Sequence, residues 1–216
     1  MSELLVIRHG QASFGQDNYD VLSDLGHRQS KAVGALLREM GWVPDRLVTG
    51  TLRRQRDTLS SMGFAQVPEE HGGLNEYDFA DLLQARFKGK LPDLVKGDRK
   101  THFRALRETV FEWQDAEFDG ASETYAEFAQ RVEAARLFAC NTTAKRVLVI
   151  SSGGVIGQMV AMALGADKRH MMELNLQVKN TAMTRFMFKG ARCSLSEFNA
   201  TPHFMTPSGV DLLSYS

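Results

Sequence analysis

Two continuous apolar runs constrain this chain more than any other feature. They are Leu4-Leu5-Val6-Ile7 near its start and Val147-Leu148-Val149-Ile150 towards its end. A strand apolar at every position has no face for solvent, which suits a parallel sheet covered on both sides. The first run stops at Arg8-His9-Gly10 and the second at Ser151-Ser152-Gly153-Gly154. Between them, Ser23 offers an N-cap to a helix that turns Val33, Leu36, Leu37 and Met40 to one face and ends at Gly41. Arg46-Leu47-Val48 reads as a short strand, followed by a helix from Leu52 to about Met62. After the second run, Val155, Ile156, Met159, Val160 and Leu164 mark another inward helical face. Strand alternating with helix predicts an α/β fold: three layers, α/β/α, around a mostly parallel, doubly wound sheet. From Leu174 to Phe198 the pattern breaks into short strand-like pieces.

The middle of the chain lacks buried-strand pattern. Residues 79–121 read as a helical cap inserted over one end of the sheet, within a single domain spanning 1–216. Thr124 and Glu127 form a capping box for a helix using Phe128, Val132 and Ala135. Residues 86–107 carry eight Lys or Arg (Arg86, Lys88, Lys90, Lys96, Arg99, Lys100, Arg104, Arg107) against Asp93 and Asp98. That stretch is either a solvated helical face or a basic rim that attracts anionic substrates. The whole chain has 26 basic and 26 acidic residues, so no global field points to nucleic acid or membrane. Cys140 and Cys193 show no disulfide or metal-ligand spacing. With no basic leader and no apolar stretch near the roughly 20 residues of a membrane span, a cytoplasmic protein is expected.

Ligands of open parallel sheets bind beyond the carboxyl ends of the strands. Arg8-His9-Gly10, Thr49-Gly50-Thr51-Leu52-Arg53-Arg54 and Ser152-Gly153-Gly154 all fall there, and Glu76 lies in a loop nearby. Each has an ordinary explanation alone: a structural Arg-His pair, a surface arginine, a tight turn, a solvated glutamate. Together they converge on one place.

These segments resemble the histidine phosphatase superfamily, the phosphoglycerate-mutase-like proteins. Leu5-Val6-Ile7-Arg8-His9-Gly10 matches that family's opening strand and R-H-G motif. Leu22-Ser23-Asp24-Leu25-Gly26-His27-Arg28-Gln29 matches L-[ST]-x-x-G-x-x-Q. The segment from Thr49 to Thr58 fits S-x-x-x-R-A-x-x-T more loosely, with Arg54 and Thr58 in place. Leu74-Asn75-Glu76 matches L-x-E, and Ser122-Glu123-Thr124 with Arg131 echoes G-E-S…R. The resemblance runs from about residue 3 to 165, and more faintly to Asn180. It implies a nucleophilic His9 forming a phosphohistidine. Arg8 and Arg54 would clamp the phosphoryl oxygens, and Glu76 would be the general acid and base, with Asp78 as second candidate. Gln11 would be a neutral donor at the pocket wall, and Gly10 and Gly153 would admit backbone N–H groups. No metal or cofactor is implied.

One position departs from the family. Its V-S-H-G-G pattern carries a second histidine, where this chain has Ser152 in Ile150-Ser151-Ser152-Gly153-Gly154. A serine donates only a neutral hydrogen bond to phosphate, and it leaves a ring-sized gap for water or a neighbouring side chain to fill. His102, His170 and His203 are the other histidines considered, each read first as a surface or packing residue. The expected function is a phosphomonoester hydrolase acting on a small phosphorylated substrate. The alternative is a module that binds such a ligand, or inorganic phosphate, with weak or no turnover. A phosphoglycerate mutase is less favoured. A serine hydrolase is excluded, because Ile150 stands where G-x-S-x-G needs a glycine. A homodimer is the default assembly.

Overall fold

The computed structural model describes residues 1–13, 20–90, 99–205 and 209–215, with residues 99, 100 and 102 described by backbone alone. A six-stranded sheet runs through its middle in the order β3-β2-β4-β1-β5-β6. The strands are β1 (Ser2–Arg8), β2 (Arg46–Thr49), β3 (Glu69–Glu70), β4 (Arg146–Ser151), β5 (Met183–Lys189) and β6 (Arg192–Ala200). The first four pair in parallel, while β5 is antiparallel to β1 and β6 to β5. The two apolar runs are neighbours at the centre, Leu4 opposite Val147 through Ile7 opposite Ile150.

Successive residues of a strand face opposite ways, and both faces are buried here. Leu4, Val6, Val147 and Val149 point to one side. There they pack with α5 (Tyr125–Cys140), through Phe128 and Val132, and α6 (Gly153–Leu164), through Val155, Ile156 and Met159. Leu5, Ile7, Leu148 and Ile150 point to the other side. That side holds α1 (Asp24–Glu39), through Val33 and Leu37, and α2 (Arg53–Met62), through Leu59 and Met62. Each such side chain contributes about 1.5–3 kcal/mol by leaving water. The three-layer reading therefore holds.

The helix ends carry the expected caps. Ser23 Oγ accepts from Gly26 N at the start of α1, and Thr124 with Glu127 closes the capping box of α5. α3 (Phe79–Arg86) and α4 (Arg99–Asp115) supply helix where the middle lacks strand pattern.

Four details differ from the sequence reading. Met40 and Leu164 are exposed, because each lies in or just past the last turn of its helix, beyond the sheet that the helix covers. β3 is a two-residue strand made by backbone pairing of Glu69 and Glu70 with Val48 and Thr49. Leu174 belongs to a helix, α7 (Arg169–Asn175). Of the basic stretch, Lys96 and its acidic neighbours Asp93 and Asp98 lie outside the described residues. Arg86 is paired with Glu112 and Arg107 with Glu173, so part of the stretch is neutralised locally. No helix among the described residues is long and apolar enough to cross a membrane.

His203 is buried against Phe204, and its Nε2 lies 3.0 Å from Thr181 Oγ1. Burial pushes its pKa down from 6.5 to about 4. The unfolded chain therefore binds the extra proton more readily between these values, and stability rises with pH there. The contribution is full above pH 6.5 and is lost as pH falls towards 4. Urea midpoints should drop between pH 7 and pH 4.5, and less steeply in His203→Phe.

Candidate active site

β1 and β4 end side by side, with Arg8 opposite Ser151. The chain leaves β1 through His9 and Gly10 and passes close against α1. A Cβ on Gly10 would lie 2.5 Å from the Gly26 carbonyl oxygen, so the opening motif and the start of α1 require a glycine at this contact. The backbone just after β1 is held from several directions. His9 N donates to Ser151 O at 2.9 Å, and Gly10 N donates to Thr58 Oγ1 at 2.9 Å. Gln11 N donates to Gln29 Oε1 at 2.8 Å.

His9 is 2% exposed. Its Nδ1 lies 2.7 Å from the Gly10 carbonyl. A carbonyl only accepts, so Nδ1 carries the hydrogen and Nε2 carries a lone pair. Arg54 agrees with that assignment, since its Nε donates to His9 Nε2 at 3.2 Å. Burial, then the charges of Arg54 and Arg8, hold the imidazole pKa well below 6.5, against the Gly10 hydrogen bond. The site thus contains a neutral, oriented imidazole flanked by two cations.

Arg54 is fixed at the first turn of α2, and Asp20 pairs with its Nη1 at 2.8 Å. Arg8 Nη1 donates to the Val178 carbonyl. Glu76 follows the turn at 72–74, which Arg131 secures by donating to the Asn75 carbonyl at 2.6 Å while bound to both Glu123 oxygens at 2.7 Å. The Glu123–Arg131 segment therefore steadies the loop before Glu76. Glu76 Oε2 accepts from Gly154 N at 2.9 Å. Burial raises its pKa from 4.5, opposed by that hydrogen bond and by Arg54, Arg8 and Arg131. A carboxyl shifted this way keeps its proton at higher pH than an ordinary glutamate, as a general acid must.

Arg8, His9, Gly10, Arg54, Glu76, Ser152 and Gly153 thus gather at one end of the sheet. Gln11 stands at the rim, its Oε1 accepting from Ser23 Oγ at 3.0 Å. Asp78 does something else: it is exposed and caps α3 by accepting from Asp81 N. His170 is exposed, with Nδ1 against the Asp167 carbonyl, and His203 is engaged by Thr181. The His102 side chain lies outside the described residues.

Several supporting residues were not singled out in the sequence. Asp20 is one. Asn180 is another, donating from Nδ2 to the His9 carbonyl at 3.3 Å. Ser214 Oγ donates to Asn180 Oδ1 at 2.9 Å and accepts from Gln29 Nε2 at 2.8 Å. Gln29 in turn receives Gln11 N, so a side-chain ring through the C-terminal segment closes around Gly10. Thr181 donates its N–H to the Arg8 carbonyl at 3.1 Å from a left-handed backbone, φ 54, which is strained for a β-branched residue. Gln55 is the last. Its amide fills the gap expected beside Ser152, with Nε2 2.9 Å from Ser152 Oγ. A sequence signal for it existed: the pattern S-x-x-x-R-A-x-x-T has alanine after the arginine, where this chain has Gln55.

Ser152→His would force an imidazole onto that amide. Overpacking of this kind costs about 1–3 kcal/mol. The single variant should melt several degrees lower than wild type, and Gln55→Ala/Ser152→His should recover most of the loss.

Comparison with known proteins places this chain in a family and a fold. The sequence model of the histidine phosphatase superfamily, branch 1, matches residues 4–201. Among solved structures, phosphoserine phosphatase from Entamoeba histolytica, in complex with 3-phosphoglyceric acid, has the same fold. It superposes with a TM-score of 0.68 at 21% identity, over 94% of this chain and 99% of that one. A mycobacterial glucosyl-3-phosphoglycerate phosphatase does so with a TM-score of 0.66 at 21% identity, over 93% and 100%. The family match spans most of the chain and includes every residue gathered at the site, so this protein belongs to the histidine phosphatase superfamily, branch 1.

Proposed function

We propose that the chain is a phosphomonoester hydrolase working through a phosphohistidine at His9. The observation that carries this reading is the neutral His9 imidazole, its Nε2 lone pair facing Arg54. In the first step Nε2 attacks phosphorus and the ester P–O bond breaks, while Glu76 gives its proton to the leaving oxygen. In the second step the Glu76 carboxylate takes a proton from water, whose oxygen attacks phosphorus. The P–N bond breaks and orthophosphate leaves. The Nδ1–H bond to the Gly10 carbonyl supports the positive ring that forms between the two steps. Arg8 and Arg54 bind the phosphoryl oxygens, Gln11 and Ser152 add neutral donors, and Gly10 and Gly153 let backbone approach.

The substrate is a small phosphate ester, within a cytoplasmic, single-domain enzyme that defaults to a homodimer. Residues 79–121 serve as its cap. α4 meets the Glu76 loop through Trp113, which packs against Tyr77 and Phe128. The relatives support this size of substrate: they are named for phosphoserine and glucosyl-3-phosphoglycerate, and the mycobacterial one binds inorganic phosphate. A second reading, phosphate binding with little turnover, draws on two observations. Asp20 already engages Arg54, and Ser152 offers no charge.

A panel of small phosphate esters separates the two readings. Hydrolysis should fall roughly 10³-fold or more in His9→Ala and about 10²–10⁴-fold in Glu76→Gln. A rise in melting temperature with vanadate, without hydrolysis of any ester, would favour binding alone.

The pH profile follows from the two shifts. His9 must be neutral, and its acid limb lies below 6.5 because its pKa is lowered. Glu76 must be protonated, and its alkaline limb lies above 4.5 because its pKa is raised. kcat/KM should form a bell with its acid limb set by His9 and its alkaline limb by Glu76, and Glu76→Gln should remove the alkaline limb.

A further inference from the structure

Gln55 is a fully buried amide with no part in the steps above. Its Nε2 donates to the Leu74 carbonyl at 2.9 Å and to Ser152 Oγ at 2.9 Å, while its Oε1 accepts from Leu52 N at 3.3 Å. The Leu74 carbonyl can only accept, so nitrogen, not oxygen, must face it. That settles the amide's orientation and makes Ser152 Oγ an acceptor from Gln55. The surroundings leave space for this one group. A Cβ on Gly50 would lie 1.9 Å from Gln55 Oε1, and position 152 is a small residue.

Ser152 is also fully buried and occupies the N-cap position of α6. A serine there ordinarily turns its oxygen to the N–H groups of the first turn. This one makes no such bond, because its oxygen faces Gln55. Glu76 takes the N–H of Gly154 instead. The Ser152 hydrogen has no acceptor among the described residues. Strand register sets its backbone next to that of His9, since the preceding residues, Arg8 and Ser151, are paired.

We infer that Gln55 is a positioning residue. It holds the Ser152 oxygen away from α6, so that the hydroxyl hydrogen is left to donate to a phosphoryl oxygen. The inference rests on the hydrolase reading above and names the device by which an uncharged pair serves this corner of the site.

Gln55→Met keeps the length and removes the donors. Ser151 Oγ still donates to the Leu74 carbonyl at 2.8 Å, so that group keeps a partner. Turnover of p-nitrophenyl phosphate and calorimetric binding of inorganic phosphate are measured for Gln55→Met, Ser152→Ala and the double variant. Gln55→Met should lower kcat/KM about 10-fold, the effect of one hydrogen bond of roughly 1.4 kcal/mol. It should weaken phosphate binding and add nothing further in the Ser152→Ala background. Gln55→Leu, which also lacks the donors, should reproduce the loss and serves if Gln55→Met does not fold. Wild-type turnover and phosphate affinity in Gln55→Met would overturn the inference, as would an equal further loss in the Ser152→Ala background. If His9→Ala is inactive while Gln55→Met is unimpaired, only the positioning role fails. If wild type neither hydrolyses the ester nor binds phosphate, the hydrolase reading fails with it.

Discussion

The 2.7 Å contact between His9 Nδ1 and the Gly10 carbonyl sets which ring nitrogen holds a lone pair, and the rest of the site is arranged around that choice. The contact depends on how the backbone is held after β1. Gly26 leaves no room for a side chain at Gly10, Thr58 takes the Gly10 N–H, Ser151 receives His9 N, and Asn180 receives hydrogen-bond help from Ser214 as it reaches the His9 carbonyl. The α1–α2 layer, the sheet and the C-terminal end thus converge on three residues. A ring fixed this way has surrendered its conformational freedom during folding rather than at the moment of reaction.

The same burial acts in opposite directions on the two titrating groups. It disfavours the cationic form of His9 and the anionic form of Glu76. The two arginines deepen the first effect and moderate the second. A neutral His9 imidazole and a Glu76 carboxyl that keeps its proton to higher pH than usual can therefore coexist beside Arg8 and Arg54. That combination suits an anionic phosphate ester, whose oxygens guanidinium groups can bind.

Much of this was legible in the sequence. The central strands were readable because burial on both faces leaves an unbroken apolar run, and the catalytic candidates because they sit where such strands end. β3 was not, since Glu69 and Glu70 are strand only through backbone pairing to β2. Asp78 looked like a second acid because spacing cannot distinguish a carboxylate that faces the site from one that caps a helix. Asn180 and Ser214 act through partners 171 and 34 positions away, and no local pattern encodes such contacts; Gln55 departs visibly from the alanine of the family pattern, but its partner 97 positions away is not readable from it. The gap predicted at Ser152 was real in composition, but the group that fills it comes from α2.

The central claim is that His9 Nε2 takes the phosphoryl group. Rapid quenching of turnover in alkali, followed by mass spectrometry of the peptide containing His9, tests it directly. The account predicts a phosphorylated His9 that is lost on acid treatment and absent from His9→Ala. Steady hydrolysis with no phosphate on His9 at any quench time, and undiminished in His9→Ala, would contradict it.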